Sequence, residues 1–106
     1  MALAIVTERA ADADIDQQFA YIPERNFDAA LRYYDAVGKT LERLAEVPTL
    51  GRTQALNNPR LTGMRRLAVA GYPNYLVFYI PTGQKLRVVR VLHGARDITT
   101  ILDDLL

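Results

Sequence analysis

Residues 75–92 read Tyr75-Leu-Val-Phe-Tyr-Ile-Pro-Thr-Gly-Gln-Lys-Leu-Arg-Val-Val-Arg-Val-Leu92, and this stretch decides the fold. Tyr75 to Ile80 and Leu86 to Leu92 are runs of β-branched and aromatic residues, the composition of strands. Pro81-Thr82-Gly83-Gln84 between them is a turn, so the two runs pair as an antiparallel hairpin. Upstream, Arg66 to Ala70 forms a third strand and Gly71-Tyr72-Pro73-Asn74 the turn that joins it, giving a three-stranded meander. Side chains alternate across a strand. Leu76, Phe78 and Ile80 therefore share one face against Tyr75, Val77 and Tyr79, and Leu86, Val88, Arg90 and Leu92 share one against Arg87, Val89, Val91 and His93. The purely aliphatic and phenylalanine face is expected to meet the helices, leaving a face of tyrosines and cations partly open.

Working outward, Leu3 to Val6 is a short apolar run that reads as a first strand, with Thr7 as the cap of a following helix. Ala11, Ile15, Phe19 and Ile22 recur at the spacing of an amphipathic helix, and Pro23 stops it. Asn26 caps a second helix, whose stripe Ala30, Tyr34, Val37, Leu41 and Leu44 runs to Pro48. Gly38 in its middle marks a close approach of the two helices. Residues 49–62, with Gly51, paired asparagines and Pro59, read as a loop, and Asp97 starts a final helical turn. The predicted fold is α+β with the order β-α-α-β-β-β, an antiparallel helical hairpin packed on a small, twisted, mainly antiparallel sheet.

Its 106 residues suffice for one domain, 1–106, and half hydrophobic with a quarter charged is a globular composition. Met1 to Glu8 is too short for a secretory signal, and no run approaches the roughly 18 apolar residues of a membrane span, so a cytoplasmic protein without membrane contact is expected. The formal net charge is only +1, but it is unevenly laid out. Residues 1–50 carry nine carboxylates and five cations, whereas residues 51–96 carry eight cations and no carboxylate. Two readings fit this asymmetry: a basic face that draws anionic partners, or arginines that pair with the acidic helices in three dimensions.

The chain has no cysteine, serine or tryptophan and a single histidine, His93. Thiolate and serine nucleophiles, Cys-ligated zinc and sites needing two imidazoles are thereby excluded. No glycine-rich phosphate loop is present. Asp12, Asp14 and Asp16 are spaced two apart on a helix, where residues two apart point away from each other, and read as a solvated face rather than a metal site. No metal or cofactor is expected. Tyr72, Tyr75 and Tyr79 with Arg65, Arg66, Arg87 and Arg90 fit either a stacking platform for single-stranded nucleic acid or a core with wet hydroxyls. Metal-free phosphodiester cleavage by Arg, Lys, Tyr and His is the one enzymatic reading left.

Pro48-x-x-Gly51-Arg52, Leu61-x-Gly63-Met64-Arg65-Arg66, Tyr75-Leu-Val-Phe-Tyr79 and above all Val89-Arg-Val-Leu-His-Gly-Ala-Arg-Asp-Ile98 occur in this order, and together the chain resembles the ParE branch of the RelE/ParE toxin superfamily. The resemblance implies the toxin of a type II toxin–antitoxin module of the plasmid-stabilisation kind, held in a hetero-oligomer by a ParD-like antitoxin. ParE-like members poison DNA gyrase on its bound DNA without a known active site, whereas RelE-like members cleave mRNA on the ribosome. The ribonucleases present an Arg after the first meander turn and a Tyr beyond the last strand. Here those places hold Tyr75 and, approximately, Ile98, so the resemblance favours a non-enzymatic gyrase toxin, with the ribosome-dependent endonuclease as the alternative. The surface expected to meet target or antitoxin is Arg65, Arg66, Arg87, Arg90, His93 and Arg96.

Overall fold

The computed structural model describes residues 2–21 and 26–105. Its centre is a five-stranded mixed sheet in which β1 (Ala4–Thr7), β2 (Arg52–Thr53), β3 (Arg65–Val69), β4 (Tyr72–Pro81) and β5 (Lys85–His93) lie in the order β1-β5-β4-β3-β2. The meander β3-β4-β5 is antiparallel, and β1 joins its outer side parallel to β5, with Ile5 opposite Leu86. The first meander turn is tighter than its sequence suggests. Gly71 takes a φ of +82°, and Tyr72 to Asn74 already belong to β4. Residues 49–62 are not simply a loop, because β2 adds two residues to the edge of β3.

Among the described residues there are also three α-helices: α1 (Arg9–Tyr21), α2 (Phe27–Glu46) and α3 (Ile98–Asp103). Thr7 is not a helix cap. It is the last residue of β1, opposite Val88, and α1 starts two residues later. The Asn26 side chain accepts the N–H of Ala29 at 3.2 Å and caps α2 as expected. The stop at Pro23 and the place of Ile22 lie outside the described residues. The α2 stripe buries Ala30, Val37, Leu41 and Leu44 as expected and departs at one position: Tyr33 is fully buried and Tyr34 is 54% exposed. Gly38 does not mark a close approach, since a side chain there would find nothing within 4 Å.

The faces of β4, and those of β5 beyond its bulge, are the reverse of the sequence expectation. The helical hairpin covers Tyr75, Val77 and Tyr79 of β4, together with Leu86, Val88 and Val91 of β5. Leu76, Phe78 and Ile80 lie on the opposite face with Val89 and Leu92. That face is not open either: α3, through Leu102, Ile98 and Ile101, and the loop residues Leu61 and Met64 close over it. Two physical causes account for the inversion. First, the core tyrosines have their hydroxyls satisfied, which removes the penalty of burial. Tyr79 donates to the Pro48 carbonyl at 2.8 Å and accepts the Gly51 N–H at 2.9 Å, and Tyr33 donates to Gln18 at 2.6 Å. Second, β5 is bulged. Phe78 faces Arg90 but Tyr79 faces Val88, which leaves Val89 as an extra residue and breaks the alternation. Val91 and Leu92 therefore lie on the faces opposite to those expected.

Candidate functional site

The bulge sets the direction of Arg90. Its Nε and Nη2 donate to the two carboxylate oxygens of Asp14 at 2.6 and 2.8 Å, with the side chains 16% and 6% exposed. The hydrogen bond to Asp14, opposed by burial, raises the Arg90 pKa, so the guanidinium is held charged. Asp14 is thus a buried ion-pair partner and not part of a solvated face, while Asp12 and Asp16 are exposed. The same carboxylate accepts the Val91 N–H at 3.0 Å, and Gln18 donates to the Val91 carbonyl at 2.8 Å. Two α1 side chains therefore occupy the outer edge of β5 past the end of β1, where a strand edge would otherwise be bare.

Beyond this seal lies a cleft of about 410 Å³ lined by Asp14, Gln17, Gln18, Tyr75, His93 and Arg96. His93 ends β5 opposite Tyr75, and their rings meet edge to face with centroids 5.1 Å apart. The His93 Nδ1 accepts the Ala95 N–H at 3.1 Å, so a neutral imidazole carries its proton on Nε2. The Arg96 N–H donates to the His93 carbonyl at 3.1 Å, which folds the turn and leaves the exposed guanidinium on the cleft rim. Tyr75 also meets the buried Tyr33, at 5.2 Å, and so forms a wall against the hydrophobic core. Chemically the cleft offers the Arg96 guanidinium, the His93 Nε2–H and the side-chain donors of Gln17 and Tyr75 to an anion or a carbonyl. Asp14 is already engaged on Arg90 and Val91.

The six cations expected at one surface are distributed over several. His93 and Arg96 come together. Arg65, opposite Tyr79 at the other end of β4, donates to the Gly51 carbonyl at 2.6 Å and secures the segment after α2. Arg66 stands directly opposite Arg52 on β2 and makes no ion pair among the described residues. Arg87 bonds Glu8 at 2.7 Å, and Arg90 is closed off by Asp14. The residues that sequence reasoning missed are Asp14, Gln17 and Gln18. The signal for two of them was present: Asp14 and Gln18 fall three and seven positions after Ala11, on the side of α1 that Ala11 and Ile15 turn to the core.

Among the described residues no three His, Asp or Glu side chains are grouped to hold a metal, and no helix is long and apolar enough to cross a membrane. A family model described as "ParE toxin of type II toxin-antitoxin system, parDE" matches residues 5–98. Among solved structures, a chain titled "Chromosomal ParDE TA system from P. aeruginosa" superposes with a TM-score of 0.68 at 18% identity, over 87% of this chain and 96% of that one, a likeness of fold. No curated protein matches significantly. The family match spans nearly all of the sheet and both long helices, and it ends at the first residue of α3, just after the His93–Asp97 turn; the chain belongs to the ParE toxin family of type II toxin–antitoxin systems.

Proposed function

We propose that this toxin acts in the cytoplasm by binding DNA gyrase and holding it on cleaved DNA, that it performs no covalent chemistry itself, and that a ParD-like antitoxin neutralises it in a hetero-oligomer. The observation that carries the reading is the match to the ParE model over residues 5–98. The geometry supports binding over catalysis. Cleavage of a phosphodiester needs a base, an acid and cations around the developing charge. Where ribonuclease relatives place an arginine, Tyr75 packs on Tyr33, and where they place a tyrosine, Ile98 packs into the apolar cluster under α3. Arg65 and Arg90 are spent within the fold. His93 and Arg96 are left as donors on a cleft rim, which suits a contact surface.

The test is a supercoiling and cleavage assay with purified gyrase, comparing the wild type with His93→Ala/Arg96→Ala and with Arg66→Ala, folding being checked by thermal melting. Wild-type poisoning that is lost in the folded His93→Ala/Arg96→Ala variant is the expected result. Wild-type protein without effect on gyrase, but cutting mRNA at the ribosomal A site in a 5′-end mapping experiment, overturns it in favour of the endonuclease.

A further inference from the structure

A second cleft opens where β1 hands over to α1. Glu8, the residue between them, is pinned by its N–H to the Val88 carbonyl at 2.9 Å, so its side chain and those of Arg9 and Ala10 project beside β5. Facing them is the 3₁₀ turn Pro59–Leu61, which Asn58 caps by accepting the Arg60 N–H at 3.0 Å. Between these walls is a cavity of about 390 Å³. Its floor is apolar, made of Leu61 and Val89, both at most 5% exposed, with Leu105 at one end. Its rim carries three guanidinium groups, Arg9, Arg60 and Arg87, against one carboxylate, Glu8. Glu8 is bonded to Arg87, whereas the exposed Arg9 and Arg60 have no ion-pair partner among the described residues.

An occupant must satisfy both features. Uncompensated cations on a concave rim favour negative charge, and the apolar Leu61 and Val89 favour an apolar side chain beside that charge. A nucleic acid meets the first condition only. None of the lining residues is aromatic, so bases would find no stacking platform. A peptide segment with one or two carboxylates next to a branched aliphatic residue meets both. We propose that this cleft docks such an acidic, apolar-anchored segment of the antitoxin. The assignment rests on the toxin–antitoxin reading above and adds to it a place and a chemistry.

Titration calorimetry of the purified toxin with its separately purified cognate antitoxin, at low and high salt, tests this. The variants are Arg9→Glu/Arg60→Glu and Arg60→Ala, with Arg43→Glu on α2, which packs on the other face of the sheet, as the charge-reversal control and melting curves as the check of folding. The expected result is an affinity lowered at least roughly tenfold in the double variant, with a flatter salt dependence, and a smaller loss in Arg60→Ala. Arg43→Glu should stay within about twofold of the wild type, since an exposed charge across the sheet is largely screened from the cleft. A folded double variant that binds like the wild type overturns the cleft assignment and leaves the toxin–antitoxin reading intact. A wild type that does not bind the antitoxin overturns the reading itself. Single-stranded DNA that competes with the antitoxin for Arg9 and Arg60 overturns the choice of a peptide occupant.

Discussion

Asp14 holds three donors of β5 with one carboxylate: two guanidinium nitrogens of Arg90 and the Val91 N–H. Removing one partner of so buried a pair leaves the other charge without solvent or counterion, a loss of about 3 kcal/mol or more. Asp14→Ala should therefore lower the melting temperature by roughly 10 °C or more, at about 4 °C or more per kcal/mol for a domain of this size. Because Arg90 has no other carboxylate within bonding distance among the described residues, Asp14→Ala/Arg90→Ala should cost less than the sum of the two single changes. Urea unfolding of the four proteins checks this, and strictly additive losses would sink the claim that the pair acts as a unit. Sequence alone pointed half-way to it. Arg90 stood out as a cation within an apolar strand, but the two-residue spacing of Asp12, Asp14 and Asp16 hid the one aspartate that lies on the core side of α1.

At the scale of elements, the meander, the Asn26 cap and the end of α2 before Pro48 were legible because each depends on neighbours within a few residues. The choice of sheet face was not. It depends on hydroxyl partners far away in sequence, such as Gly51 for Tyr79, 28 residues apart, and on a bulge that no local signal announces. The site suffered for the same reason: cations close in sequence at 65–66 and 87–96 are sent to different sides and ends of the sheet. Gly38 illustrates the limit from the other direction. A glycine in mid-helix suggested contact, yet beside it lies a cavity of about 140 Å³ lined by Ile15, Tyr34 and Val37 among others, and no side chain comes within 4 Å. With helical backbone and no neighbour to strike, Gly38→Ala should stabilise the protein by up to about 1 kcal/mol through the lower entropy of the unfolded chain. A rise of several degrees in melting temperature is expected, and a fall would show that α2 needs the glycine in some state other than the one described.

Over the whole molecule, the acid-free segment is partly neutralised by the acidic half of the chain. The Glu8–Arg87 and Asp14–Arg90 pairs join residues 79 and 76 positions apart and tie the first helix region to β5. Two phenols do comparable work across the layers. Tyr33 on α2 reaches Gln18 on α1, which in turn holds the Val91 carbonyl of β5. Tyr79 on β4 ties the segment from Pro48 to Gly51 to the sheet. Burial raises the pKa of both above the ordinary 10.0, more strongly for Tyr33, where Tyr75, Tyr72 and Asp14 add to it; for Tyr79 the Gly51 N–H and Arg65 oppose the rise. Folding thus favours the protonated phenol. The stabilisation is fully present below pH 10 and is lost as pH rises from there through the native values, because the unfolded chain releases these protons first. In a spectrophotometric titration, Tyr33 and Tyr79 should ionise only together with loss of the far-ultraviolet circular dichroism signal. Tyr33→Phe, which keeps the ring but removes the titrating group, should flatten the alkaline fall in urea midpoint while lowering the midpoint at neutral pH, where Gln18 loses its donor. Tyrosines that all ionise near pH 10 in a protein that stays folded would show that these hydroxyls are not held between the layers.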